Sequence, residues 1–415
     1  MKGHVKEMRN TVKRRTAAMA ALAAVSLIVT ACAGSADPGG NEGDGDTVSI
    51  GVVLPFSGVQ AAIAELEGQG AAVAADMIND AGGIAGKWKI NLVKADDQLD
   101  TGRSATVIRD LNDKGVALAI GGQTSDLCKS SAEAAQRFNL TFIGAHCTSP
   151  DLVDPPVTPN FFMIGQQMTT LANAIGKNLA ENYPDVETWD VVTYDVEAMR
   201  SSWDIAKGAM GDVIGREVVE GKRYAVPVGG TTLRNEIAGL VSTPDKAKRG
   251  LFLGVYGAGT TAFLQQAAPT GILDDYAVVA QTGVYWPTAV AMDGAAPPIV
   301  NVHDYFYACQ STPENDKFVA AFEAETGAKP DAGAYQGYLA VQLLAAAIEK
   351  ADSTDTAKVQ EALKGISIDT PQGLKMTIDA KTHAGNGAAT VALLAGDPEA
   401  PQGVGITECS LVPAS

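Results

Sequence analysis

Two rhythms of apolar and polar positions alternate along this chain. An apolar run at 48–54 has the length and flanks of a buried strand, and the stretch after it places Ile63, Leu66, Gly70, Val73, Ala74, Met77 and Ile78 on one helical face. The glycines of GGIAG at 82–86 stop that helix, supplying the backbone freedom a C-cap needs. The pattern then predicts a strand at 90–93, a helix at 103–111, a strand at 116–120, a helix from Leu127 and a strand at 140–143. βαβ units repeated at this length imply a parallel sheet covered on both faces.

A second series starts beyond the apolar run at 161–164. Its expected elements are a helix at 169–179, a strand at 189–193, a helix at 202–214, a strand near 218–219, a helix at 232–240, a strand at 251–254, a helix at 260–268 and a strand at 276–280. The chain then passes through APPIVNVHDYFYA (296–308) into a long helix over Ala332–Ala351. No period of 20–50 residues recurs, which excludes a solenoid. The fold class expected is α/β, with two Rossmann-like lobes built on parallel sheets.

The N-terminus follows another logic. Lys2, Lys6, Arg9, Lys13, Arg14 and Arg15 precede an uncharged run at 17–31, too short to span a bilayer as a stable helix. That run ends in Val29-Thr30-Ala31-Cys32, which looks like a bacterial lipobox with Cys32 as the lipidated residue; the plainer alternative is an ordinary signal peptide with a chance cysteine. Residues 1–31 are read as a lipoprotein signal peptide and 32–47, rich in Gly, Asp and Ser, as a flexible tether.

Charge narrows the partners. The 415-residue chain carries a formal −17, and cleavage of six basic residues and Glu7 would take it to −22. Such a surface argues against nucleic acid and against peripheral adhesion to anionic lipid. Besides Cys32 there are four cysteines, an even number that favours two disulfides in an exported protein. Cys128 lies just after one strand-end loop and Cys147 within the next, and the ends of adjacent parallel strands lie about 5 Å apart. Cys128–Cys147 is the expected link, leaving Cys309–Cys409 as the other.

Catalytic and metal chemistry find no support. No G-x-S-x-G occurs, and no Ser or Cys has a His partner in a recognisable spacing. The four histidines are scattered and no C-x-x-C is present, so no zinc site is expected. GVYGAGTT (254–261) is rich in glycine but lacks the lysine of a phosphate loop, and a plain strand-to-helix turn explains it. Asp96-Asp97 at a strand end reads as a solvated or capping pair. An enzyme is not expected, nor a cofactor.

Two loops stand out: GGQTSDLC (121–128) and GAHCTSPDL (144–152) each follow a short apolar strand with small and polar residues. Together with IGVVLPFSG (50–58), AADMINDAGGIAGK (74–87) and the Asp pair at 96–97, their order and spacing resemble the type I periplasmic binding proteins. The likeness is to the leucine/isoleucine/valine-binding branch that serves ABC importers. It covers nearly the whole mature chain and is strongest over 48–165.

The resemblance implies lobe one from 48–165 plus 303–370 and lobe two from 166–302 plus 371–415, joined by a multi-strand hinge. It implies a small solute in the cleft between them, at the C-terminal ends of the strands, where helix N-termini present free N–H groups. In that family the ligand carboxylate meets the residues matching Ser125 and Thr148, and a backbone carbonyl at the position of His146 receives the ammonium. Thr124 and Asp126 flank Ser125 and belong to the same candidate set, and Tyr256 matches a ligand-facing tyrosine. Ser125 also suits a helix N-cap.

Other positions depart from the pattern. The family's covering aromatic falls on Ile63, its lobe-two Tyr-Gly on Met199-Arg200, and its ammonium-pairing acid near Thr282. Its lobe-one cysteine pair falls on Leu99 and Thr124. Thr282 cannot neutralise an ammonium and Arg200 would add a positive donor, so acids and amides are favoured over simple zwitterions.

The function implied is a lipid-anchored substrate-binding protein of an ABC importer, closing by hinge motion on an amino acid, an amide or a small carboxylate. The expected partners are the solute, ABC permease subunits and, through the anchor, the membrane of the cell envelope outside the cytoplasm. A monomer is expected. The competing readings are a sensory binding protein without a transporter and an exported hydrolase, the latter needing a nucleophile–base pair that the sequence does not display.

Overall fold

The computed structural model describes residues 47–413 apart from Val59 and Val284. The expected signal peptide, Cys32 and the tether up to residue 46 lie outside the described residues. Thr47, placed in the tether from sequence, already pairs with Lys89 as the first strand residue.

Five parallel strands form the first sheet: β1 (Thr47–Leu54), β2 (Lys89–Asp96), β3 (Leu118–Gly121), β4 (Thr141–Gly144) and β5 (Phe161–Met163), in the order β2-β1-β3-β4-β5. Strand pleating sends alternate residues to opposite faces. Ile50, Val52 and Leu54 of β1 join Ile120 and Phe162 on one face, under α1 (Ala61–Asp80). Val53 joins Ala119, Phe142 and Phe161 on the other, under α2 (Thr101–Asp113) and α3 (Ser125–Arg137). Covering helices thus change face between β1 and β3.

After α4 (Met168–Asn182) the second sheet repeats that plan. Its strands are β6 (Thr188–Tyr194), β7 (Val219–Val226), β8 (Arg249–Gly254), β9 (Val278–Thr282) and β10 (Ile299–His303), parallel in the order β7-β6-β8-β9-β10. α4 and α5 (Glu197–Ile214) cover one face with Ile175, Trp203 and Met210. α6 (Arg234–Val241), α7 (Ala258–Ala267), the short α8 (Ile272–Asp275) and α9 (Trp286–Ala291) cover the other with Leu240, Phe263, Ile272 and Trp286.

The chain then returns to the first sheet. α10 (Pro313–Thr326), α11 (Ala332–Ala351), α12 (Thr356–Leu363) and the hairpin β11 (Ser367–Asp369)–β12 (Lys375–Thr377) add Phe318, Leu344, Val359, Ile368, Met376 and Ile378 to the cluster under α1. It crosses a third time into β13 (Ala388–Gly396) and β14 (Val404–Pro413), an antiparallel hairpin on the β10 edge of the second sheet. The expected two-lobed α/β architecture is present, and this antiparallel hairpin is what the parallel-strand reading did not include.

The crossing of α1 and α11 is unusually close. A Cβ on Gly337 would press into the Glu67 carbonyl oxygen, and one on Gly70 into the Ala334 carbonyl oxygen. The two helices therefore touch backbone to backbone. This brings Glu67, on the second turn of α1, beside the first turns of α11, whose N-cap Asp331 accepts the Ala334 N–H at 2.8 Å.

Candidate functional site

In a doubly wound sheet the crevice opens where the covering helices change face, at the C-terminal ends of the strands. Here the two places are β1/β3 and β6/β8. Gly121 ends β3 and the chain turns through Gly122 and Gln123 to Thr124, the N-cap of α3, whose Oγ1 accepts the Leu127 N–H at 3.4 Å. The cap is therefore Thr124 and not Ser125. Its backbone is extended (φ −142°, ψ 159°) as a cap requires, while Ser125 is already the first helical residue.

Ser125 makes a different connection. Its Oγ accepts the backbone N–H of Thr148 at 3.3 Å and of Ser149 at 3.1 Å, joining the loop after β3 to the loop after β4. With two N–H groups on its lone pairs, the hydroxyl keeps its proton to donate elsewhere. Cys128 and Cys147, both fully buried, form a disulfide beside these bonds, as expected, with Cα atoms 6.3 Å apart. Thr148 in turn accepts the Met168 N–H at 2.9 Å, tying the loop to the start of α4.

From the second sheet, Tyr256 follows β8. The Tyr194 hydroxyl donates to the Tyr256 carbonyl at 3.2 Å, and the two rings meet edge to face at 4.9 Å. Burial, and then the charge of Asp126, push the Tyr256 hydroxyl pKa up. Asp126, on the first turn of α3, therefore lies within electrostatic reach of Tyr256. The next residue, Gly257, lies close to Gln60 at the N-terminus of α1: a Cβ there would sit 3.7 Å from Gln60 Nε2. Residues from both strand-end crevices thus come together: Thr124, Ser125, Asp126, Thr148 and Tyr256, with Gln60 as a member the sequence did not suggest. Ile63 is buried on the first turn of α1.

Three expected residues are placed otherwise. Thr282 is fully buried and its Oγ1 is 3.3 Å from Ser202 Oγ, within the second sheet's own layer. Met199 is buried in that sheet's core. Arg200 is half-buried, and its guanidinium pairs with Asp195 and, at 3.1 Å, with Glu197. A solute could use Arg200 only at the expense of those pairs.

A buried polar group accompanies the loop after β4. The His146 ring is 5.5 Å from that of His303, at the end of β10, and His146 Nδ1 is buried without a hydrogen bond. Burial, then the charge of His303, push the His146 pKa down to about 4, against the pull of Asp304 and Gln336. Gln336 Nε2 donates to Asp304 Oδ2 at 2.7 Å. Further along lie Asp331 and Glu67, only 1% exposed, with both carboxylate oxygens of Glu67 unpartnered. Burial, with Asp331 and then Asp97 nearby, holds the Glu67 carboxyl well above the usual range. Asp97, fully buried at the end of β2, is pushed up to about 6, chiefly by burial. Nothing in sequence distinguished these acids from surface ones, because their burial comes from long-range helix packing. Among the described residues no cluster of His, Cys, Asp and Glu is arranged to hold a metal ion.

The chain matches the family model described as Periplasmic binding protein over residues 47–397. It is 25% identical over 331 residues to the leucine-, isoleucine-, valine-, threonine- and alanine-binding protein of Pseudomonas aeruginosa, covering 79% of this chain and 85% of that one. An amino acid binding protein of the same organism is 27% identical over 352 residues, with the same shares covered.

Among solved structures, similarity extends to a solute binding protein of an ABC transporter from Rhodopseudomonas palustris in complex with 3,4-dihydroxybenzoic acid. There the TM-score is 0.75 at 19% identity, over 89% of this chain and 98% of that one. The substrate binding protein of a branched-chain amino acid transporter from Streptococcus pneumoniae, in complex with isoleucine, gives 0.74 at 20% identity, over 89% and 100%.

Proposed function

The chain belongs to the type I periplasmic binding proteins, in the leucine/isoleucine/valine-binding family, and on that premise we propose that it is the substrate-binding protein of an ABC importer. It captures a small polar solute, an amino acid, an amide or a small carboxylate, between two lobes that close by hinge motion. We assign 48–165 with 303–370 to lobe one and 166–302 with 371–415 to lobe two, with Met376 and Ile378, which pack in the first sheet's core, moved to lobe one. The protein acts as a monomer outside the cytoplasm, held to the membrane by lipid on Cys32, and delivers its solute to permease subunits.

One observation carries the reading. Ser125 Oγ, with its proton free, stands at the N-terminus of α3, and the same turn lies within electrostatic reach of Tyr256 from the other sheet. A helix N-terminus with a hydroxyl donor suits a carboxylate or carbonyl oxygen. Ser125 and Thr148 take that oxygen, with Thr124 and Asp126 beside them, His146 on the same wall, and Ile63 and Tyr256 covering the solute. Arg200 is already paired and offers the solute no ready positive counter-charge. Nor does Thr282 offer a negative one to an ammonium, so a solute without an ammonium is favoured.

The test is a thermal-shift panel on residues 47–413 with leucine, isoleucine, threonine, alanine, benzoate and 3,4-dihydroxybenzoate, each titrated to saturation. A solute at a hundred times its Kd adds about 2.7 kcal/mol to stability. A protein whose melting none of these raises, nor any small amide, lacks the proposed function.

A further inference from the structure

We propose that the Cys128–Cys147 disulfide is a positioning element of the solute site, clamping the loop after β4 against the first turn of α3 so that the Ser125 hydroxyl stays aimed outward. The proposal rests on the cleft reading above and adds a role for two residues that touch no solute.

Three short connections bracket one another. Ser125 Oγ takes the N–H groups of Thr148 and Ser149, and the disulfide links a residue three positions after Ser125 to the residue just before Thr148. At 3.3 and 3.1 Å those two hydrogen bonds are at the long end of the normal range, too weak alone to hold a loop in register. A covalent link one residue away removes most of the freedom the loop would otherwise have. It also fixes the orientation of the hydroxyl, because both lone pairs stay occupied only while the two N–H groups remain in place.

The backbone makes room for this link on both sides. A Cβ on Gly122 would sit 2.5 Å from Cys128 Sγ. One on Gly144 would press on Cys147 Sγ and lie 2.8 Å from the Phe161 ring. Both sulfurs are sealed from solvent. Gly122, just past β3, and Gly144, the last residue of β4, thus serve the disulfide as much as the turns.

A staple that acted only on overall stability would rank the two disulfides the other way. Cys309–Cys409 closes a separation of 100 residues against 19 for Cys128–Cys147, and the longer loop restricts the unfolded chain more. The clamp makes a local claim instead, and amide exchange reads it without any solute.

The experiment is site-resolved amide hydrogen exchange by NMR on residues 47–413, comparing wild type with Cys128→Ala/Cys147→Ala and with Cys309→Ala/Cys409→Ala. The clamp requires the Thr148 and Ser149 amides to exchange at least tenfold faster in the first pair, with Ile143 in β4 within twofold of wild type. In the second pair Thr148 and Ser149 stay within twofold. Unchanged exchange at 148 and 149 in the first pair, or equal acceleration in both pairs, overturns the proposal. Should the alanine pair not fold, Cys128→Val/Cys147→Ala refills the buried volume and makes the same comparison. The cleft reading fails separately, on the solute panel.

Discussion

The His146 ring lies 5.5 Å from the His303 ring, where the loop after β4 of the first sheet meets the end of β10 of the second. Two imidazoles this close cannot both carry charge cheaply. Burial and the charge of His303 push His146 down to about 4, so it is neutral over the physiological range.

His146 should therefore titrate near pH 4 rather than 6.5 when its ring carbon is followed by NMR. A neutral-only histidine favours the folded state above its unfolded pKa, and that contribution is lost as pH falls from about 6.5 to about 4. His303→Ala should move the midpoint upward by removing the repulsion, and His146→Gln should remove this part of the acid sensitivity. A wild-type midpoint near 6.5 would show that the ring is not buried as described.

Glu67 runs in the opposite sense. Its raised pKa means that the folded chain holds a proton the unfolded chain releases above about 4.5. The stability it contributes is present below that pH and is lost as pH rises toward the folded-state value. Burial and the neighbouring acids, Asp331 and Asp97, are the causes. Glu67→Gln keeps the shape and removes the ionisation, so at pH 8 it should raise stability by about 1–3 kcal/mol in urea denaturation and narrow the gap between pH 5 and pH 8. A Gln variant less stable than wild type at pH 8 would mean that the carboxylate has a partner in the folded protein.

The close crossing of α1 and α11 has a mechanical consequence. Gly337→Ala forces a methyl group against the Glu67 carbonyl, and overpacking of that kind costs about 1–3 kcal/mol. Gly208→Ala, on α5 with open space around it, should instead be neutral or slightly stabilising, because alanine is the better helix former. Equal urea midpoints for the two variants would contradict the crossing.

Much of this architecture was legible in the sequence, for identifiable reasons. The helix over Ala332–Ala351 was read to the residue because its buried face is nearly continuous and Asp331 caps it. β1, β3 and β4 of the first sheet were clear because both faces are covered, which leaves nearly uninterrupted apolar runs. β7 was seen only at its first residues, since an edge strand reading VEGKRYAV and mostly half-exposed shows neither rhythm. α10 escaped although Thr312 and Pro313 form a good N-terminal signal, because Phe318 and Phe322 are almost the only apolar side chains it buries. Both disulfide pairings followed from cysteine parity and strand adjacency. The pairing of Arg200 with Asp195 and Glu197, and the buried acids at Glu67 and Asp97, depend on contacts that no local pattern encodes.

The central claim is that Ser125 and the α3 turn hold the carboxylate or carbonyl oxygen of a small solute that needs no ammonium. Titration calorimetry on residues 47–413 and on Ser125→Ala, with leucine, its deaminated analogue 4-methylpentanoate, and benzoate, tests it most directly. Loss of a charged hydrogen-bond partner costs about 1.5–3 kcal/mol, roughly 10–150-fold in affinity. The account predicts one site per chain, an ammonium-free carboxylate binding at least as tightly as leucine, and at least a tenfold loss in Ser125→Ala. Micromolar leucine binding that survives Ser125→Ala and resists both carboxylates would contradict it.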